Sequence, residues 1–194
     1  MRQTILAAML ALPTMATLAT AEPIAGDDAR KLLFNARGVN VVINGGAGLS
    51  DQDGKTLEIL VTTNGFKYYG AIAFSPDEGI MSEALQGAFN YHDAATASAA
   101  ALGACNELRK RGTQPCQIAA QLLPRRYKAR PFQLSQDGTA AFDDYRRAKG
   151  EKAIAVSTGT GSFGIGTGET AEATAIAACN QRAPKNDCVI AVRN

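Results

Sequence analysis

Two short apolar blocks, Ala71-Ile72-Ala73-Phe74 and Ala153-Ile154-Ala155-Val156, each end in a serine and a run of turn residues. Short apolar runs bounded by turn chemistry predict strands. Ser75-Pro76-Asp77-Glu78-Gly79 and Ser157-Thr158-Gly159-Thr160-Gly161 predict tight turns. Residues 80–84 and 162–166 are expected to return as the second strand of each hairpin. Asp93 suits a helix N-cap, and Ala94–Arg109 is dominated by the strongest helix former. Thr170–Asn180 is its counterpart. Residues 116–122 and 188–192 again read as strands.

These blocks recur in order. Ala71 to Ser75 returns as Ala153 to Ser157, and Gly79 matches Gly161 at the same spacing. Ala101 to Asn106 returns as Ala175 to Asn180, at a spacing shorter by eight. Cys116-Gln117-Ile118-Ala119 returns as Cys188-Val189-Ile190-Ala191, at a spacing shorter again by two. The first copy therefore carries eight extra residues before its helix, placed at Leu85 to His92. Three matches in one order predict a repeat, each copy ββαβ. The expected fold is α+β: two ββαβ pseudo-repeats, antiparallel sheet covered on one face by Ala-rich helices, each copy closed by a disulfide.

Outside the repeats, residues 27–37 predict a short helix with acids in its first turn. Val39 to Asn44 and Leu57 to Thr63 read as strands, and Asn64-Gly65 as a turn. A helix is expected near Thr139 to Ala148. The divisions are 1–21, 22–66, 67–124 for the first repeat, 125–150 as connection and 151–194 for the second repeat.

The N-terminus has its own pattern. Arg2 precedes an apolar run from Ile5 to Leu12, then Pro13, threonines and the small residues Ala19-Thr20-Ala21. This is the pattern of a cleavable secretory signal, with the cut after Ala21. A membrane-spanning helix would need about 20 apolar residues. The expected location is the periplasm or the extracellular space. Four cysteines in an exported chain read as disulfides, and four allow three connectivities. The repeat selects Cys105–Cys116 and Cys179–Cys188, each tying a helix end to the next strand.

Charge adds an exclusion. Twenty Lys and Arg stand against 18 Asp and Glu, too even for bulk nucleic-acid binding. The basic run Arg125-Arg126-Tyr127-Lys128-Ala129-Arg130 reads as solvated surface, with an anionic surface or another envelope protein as the alternative partner.

Candidate chemistry is sparse. Gly159-Thr160-Gly161-Ser162-Phe163-Gly164 spells the dinucleotide fingerprint, but that motif must open directly into a helix, and Ile165 to Gly168 intervene. It reads as a glycine-rich hairpin, and no cofactor is expected. His92 is the only histidine and reads as a polar loop residue beside a helix start. Ser75 or Ser157 with His92 would make a hydrolase, without a G-x-S-x-G elbow to support it. The acid pairs Asp77-Glu78 and Asp143-Asp144 read as solvated turn and helix residues. Asp51-Gln52-Asp53-Gly54 lacks the twelfth-position Glu of a calcium loop, since Thr62 stands there.

The strand ending in Ala-Ile-Ala-Phe-Ser, the Ala-rich helix ending in cysteine, and Cys-x-Ile/Val entering the last strand together resemble the bacterial domain of unknown function 4189 family. Residues 69–122 and 152–192 both carry the resemblance, a little over half of the chain beyond residue 21. The first copy departs from the family pattern at Ile80-Met81-Ser82-Glu83 and in its insertion. The resemblance implies a small exported protein with no established catalytic residues. Similar full-length chains are sometimes labelled 5-aminolevulinate synthases. A pyridoxal-phosphate enzyme of that kind requires a large fold, a Schiff-base lysine and a pyridinium partner, and the sequence shows no such set. The function read from the sequence is thus an exported, non-enzymatic binding or interaction module displayed by the hairpins and the Leu85–His92 insertion. The alternative is an exported hydrolase or enzyme inhibitor with a site between the repeats.

Overall fold

The computed structural model describes residues 22–194; the signal sequence expected at 1–21 lies outside the described residues. In chain order the elements are β1 (Ile24–Ala25), α1 (Gly26–Leu32), β2 (Val39–Ile43), α2 (Asp51–Asn64), β3 (Gly70–Phe74), β4 (Gln86–Ala88) and α3 (Ala94–Leu108). They continue as β5 (Gln117–Pro124), α4 (Gln136–Arg147), β6 (Lys152–Ser157), β7 (Phe163–Thr167), α5 (Ala171–Asn180) and β8 (Cys188–Arg193).

The fold is α+β, with two separate four-stranded sheets. The first has the order β2-β5-β3-β4 and is antiparallel throughout. The second has the order β1-β8-β6-β7 and is antiparallel except where β1 runs parallel to β8. In each central pair the register slips by one residue. The slip falls between Ile72 and Ala73 on β3, opposite Ala119, and between Ile154 and Ala155 on β6, opposite Ala191. Such bulges bend the strand and increase its twist.

The Ala-rich helices α3 and α5 cover one face of each sheet, as expected, and other helices cover the opposite face. Ala97, Ala101 and Cys105 of α3 pack on Ala71 and Ala73, while Leu57 and Val61 of α2 pack on Ile72, Phe74 and Leu122 from the opposite side. Ala171, Ala175 and Cys179 of α5 pack on Ala153 and Ala155. Phe142 and Tyr145 of α4, with Ala29 of α1, pack on Ile154 and Val192. Alternate strand residues face opposite layers, so Ala71–Phe74 of β3 and Ala153–Val156 of β6 are apolar throughout.

Four expectations fail. Leu57 to Thr63 is not a strand but the second half of α2. Ser50 accepts from Asp53 N–H at 3.2 Å and Asp53 accepts from Ser50 N–H at 3.0 Å, a capping box. Gly65 ends the helix at φ +62°, so Asn64-Gly65 is a helix terminus and not a hairpin turn. Residues 80–84 also do not form the return strand. They are turns, and only Gln86–Ala88 pairs with β3. The helix expected over 27–37 stops at Leu32.

The cysteines pair as expected: Cys105–Cys116 and Cys179–Cys188. Each closes a short loop, with separations of 11 and 9 residues; loop-closure entropy for such sizes stabilises by roughly 2.5–3 kcal/mol each. The asparagine after each helix cysteine completes the joint. Asn106 Oδ1 accepts from Cys116 N–H at 3.1 Å, and Asn180 Oδ1 accepts from Cys188 N–H at 3.2 Å.

Candidate functional site

The segment after β4 leaves the first sheet and meets the second half of the chain at His92. His92 is a loop residue beside the start of α3, as the sequence suggests, but it is buried, at 8% exposure. Its Nδ1 accepts from Ser135 N–H at 3.0 Å. Nε2 must then carry the proton, which it donates to Ser162 O at 2.9 Å. Burial pushes the His92 pKa below 6.5, against the hydrogen bond to Ser162 and the nearby Asp93 carboxylate, which both favour the charged form. His92 is therefore a neutral clamp with both nitrogens occupied.

The same joint contains Asn90, whose backbone is left-handed at φ +62°, a conformation asparagine tolerates. Asn90 and Asp137 exchange two hydrogen bonds, and Lys67 pairs with Asp137 at 2.6 Å. Ser135 caps α4 by accepting from Gly138 N–H at 3.1 Å and donates to Gly161 O at 3.2 Å. Gly161 must be glycine here, since a Cβ would lie 1.5 Å from the Asn90 carbonyl oxygen. The turn of the second hairpin thus presses against residues 89–91. Between them opens a cleft of about 470 Å³ lined by Phe89, Asn90, Tyr91, Asp137, Phe163 and Arg182. The Arg182 guanidinium lies 5.8 Å from the Phe163 ring centre.

The other sequence candidates lie elsewhere. The Ser75 turn is tied to the loop after α3: Asp77 accepts from Gln114 N–H at 2.8 Å, and Glu78 accepts from Lys110 N–H at 3.0 Å. The Lys110 N–H bond, the largest influence, holds the Glu78 carboxyl below its ordinary range. No hydrogen bond links this set to His92, so a Ser75–His92 pair does not assemble. Ser157 Oγ accepts from Gly159 N–H and Thr160 N–H within its own turn. The acids of α4 pair along their own helix, Asp143 with Arg146 and Asp144 with Arg147.

The Gly159–Gly164 motif forms the β6–β7 turn and opens into a strand. Gly164 faces α5, where a Cβ would lie 2.2 Å from the Ala175 carbonyl oxygen. In the basic run, Tyr127 packs edge-on to Tyr69 at 5.8 Å, and Arg130 stacks 3.8 Å over Phe34. Two of its six residues therefore hold structure together, while Arg125, Arg126, Lys128 and Ala129 are exposed. Among the described residues no group of three or more His, Cys, Asp or Glu could hold a metal ion, and no helix is long and apolar enough to cross a membrane.

Sequence reasoning misses Ser135 and Asp137, which fix the joint. A signal is present, since Ser135 followed by Gly138-Thr139 reads as an N-cap four residues ahead of the expected helix start. No family model, curated protein or solved structure matches the chain.

Proposed function

We propose that this chain is an exported binding module whose ligand surface is the cleft between residues 89–91 and the second hairpin. One observation carries the reading: the segment inserted in the first half, joined to the Gly161 turn of the second, forms the wall of a cleft with aromatic and polar groups side by side. Rings beside an amide, a carboxylate and a guanidinium give a ligand both contact area and orienting hydrogen bonds. His92, the group a hydrolase would use, has both nitrogens engaged in holding the joint. Two disulfides favour an oxidising compartment, which supports export.

An origin belongs to the same proposal. The two halves are copies of one unit related to the domain of unknown function 4189 proteins. The matched cysteines, the asparagines that follow them and the bulges opposite Ala119 and Ala191 support it. Strand pairing also divides the eight-residue insertion. Ala71 faces Ala88 where Ala153 faces Gly166, so Ala88 and Gly166 correspond. Their spacing falls midway between that of the first strands and that of the helices. Four residues thus enlarge the first hairpin loop and four separate β4 from α3.

The test is capture from envelope extract with the wild-type chain and with Tyr91→Ala/Arg182→Ala, followed by mass identification of what each retains. A species held by the wild type and lost from the variant is expected. Equal retention by both, or nothing retained by the wild type, overturns the assignment.

A further inference from the structure

A second concave surface lies between α4 and the chain leaving α1, and its chemistry differs from that of the cleft. Arg130 donates through Nη1 to Leu32 O at 2.7 Å and Leu33 O at 2.9 Å, satisfying carbonyls at the end of α1. The same guanidinium stacks on Phe34 and holds that ring in place. Gly38, at φ +80°, turns the chain sharply after Arg37. Arg125 lies over it, its Nε 2.6 Å from where a Cβ would stand.

The result is a groove of about 490 Å³ with an apolar floor of Leu33, Phe34 and Phe142 and three guanidinium groups, Arg30, Arg37 and Arg146, around it. That volume falls in the range of about 300–1,000 Å³ occupied by small-molecule sites. Arg30 and Arg37 make no side-chain hydrogen bond or ion pair with any described residue. Arg146 has only Asp143, at 3.8 Å. Three cations face one lining carboxylate, so the groove carries an excess of two positive charges, with Arg125 adding to it. Clustered like charges repel, and an anion placed among them relieves that repulsion. All three are arginine, whose planar fork pairs bidentately with phosphate and carboxylate oxygens.

We propose that this groove binds a small organic oxyanion: a phosphate or carboxylate group held by Arg30, Arg37 and Arg146, carried on an apolar or aromatic body that lies over Phe34 and Phe142. The site is separate from the cleft beside His92 and stands whether or not that cleft binds anything.

Isothermal titration calorimetry of the purified chain with phenyl phosphate, benzoate and inorganic phosphate tests it. Saturable binding of phenyl phosphate or benzoate is expected, and the tighter of the two names the head group. Arg30→Ala/Arg37→Ala should weaken that binding at least tenfold. Lys55→Ala/Lys185→Ala removes the same charge from exposed positions elsewhere and should leave it unchanged. Melting temperatures of both variants confirm that they are folded. The proposal is overturned if no probe saturates, if the arginine variant retains full affinity, or if the lysine variant loses as much. Inorganic phosphate binding as tightly as phenyl phosphate removes the apolar half of the site and overturns the proposal as stated.

Discussion

The two halves seat their alanine-rich helices differently. Under α3, the second hairpin strand supplies Gln86 and Ala88 opposite Ala73 and Ala71, and Ala84 from the preceding turn fills the space beside them. Under α5, the corresponding places opposite Ala155 and Ala153 hold Gly164 and Gly166. There the helix backbone rests on the strand backbone, and a Cβ at Gly166 would lie 1.9 Å from the Ala171 carbonyl oxygen. One half fills its helix–sheet gap with side chains; the other closes the gap. The lesson is that summed volume across the interface, and not the residue at any one position, is what the packing constrains.

The most damaging way to probe this contrast is Gly166→Ala. Backbone cannot yield as a flexible side chain does, so a loss of about 3 kcal/mol is expected, the upper range for overpacking. That is a fall in melting temperature of roughly 6–12 °C for a chain this size. A variant that melts with the wild type would show that α5 does not sit on β7.

Next in size are the disulfides. Replacing either cysteine pair by alanine should cost roughly 2.5–3 kcal/mol in denaturant titrations. The halves should still differ in where they loosen. The first hairpin turn is also bound to its disulfide loop by Asp77 and Glu78. The second is bound by a carboxylate from the opposite partner: Asp187, in the loop, accepts from Gly159 N–H at 2.9 Å and from Thr158 Oγ1–H at 3.2 Å. Amide exchange should therefore rise more in β8 without Cys179–Cys188 than in β5 without Cys105–Cys116. Equal rises would erase the distinction.

His92→Ala breaks the joint between the halves and leaves the buried Ser135 N–H unpaired, while Ser162 O keeps its bond from Ser157 N–H, at a cost of about 1–3 kcal/mol. Its pH signature is specific. The folded ring has a pKa below 6.5, so the unfolded chain binds more protons in that region. The stabilisation is complete above pH ~6.5 and declines as pH falls below it. Melting temperatures from pH 8 to 5 should drop more steeply for the wild type than for His92→Gln. Parallel curves would show that the ring is not buried and neutral.

The smallest effect has the opposite sign. Gly103 lies in the interior of α3 with open space around its missing Cβ, so Gly103→Ala should stabilise by about 0.5–1 kcal/mol. A destabilised variant would mean that this face of α3 is covered.

How much of this is legible follows from where the deciding force acts. The α3 and α5 helices, β3, β6 and both disulfides are readable because alanine content, short apolar runs and cysteine spacing are local signals that recur. α4 is legible but starts at Gln136, three residues early, because Ser135 caps it. α2 reads wrongly as a strand since Leu57-Glu58-Ile59-Leu60-Val61-Thr62-Thr63 is rich in β-branched residues, which favour strands. Burial decides the matter: Gly54, Leu57 and Val61 are spaced by three and four and form the inward face, while Ile59 is 63% exposed. The capping box at Ser50 and Asp53 is the available clue. Burial of His92 is not legible, because its partners Ser135 and Ser162 lie 43 and 70 residues away.

The smallest strand carries a consequence for assembly. Ile24 and Ala25 align with Val192 and Arg193, and Gly26 N–H donates to Asn194 Oδ1 at 2.8 Å across 168 residues. Bringing such remote residues together costs more loop entropy than any hairpin in the molecule. A chain that emerges from its N-terminus holds Ile24 idle until Val192 and Arg193 arrive. This edge of the second sheet is thus sealed only once β8 is in place, by a contact between the first and last strands of the described residues.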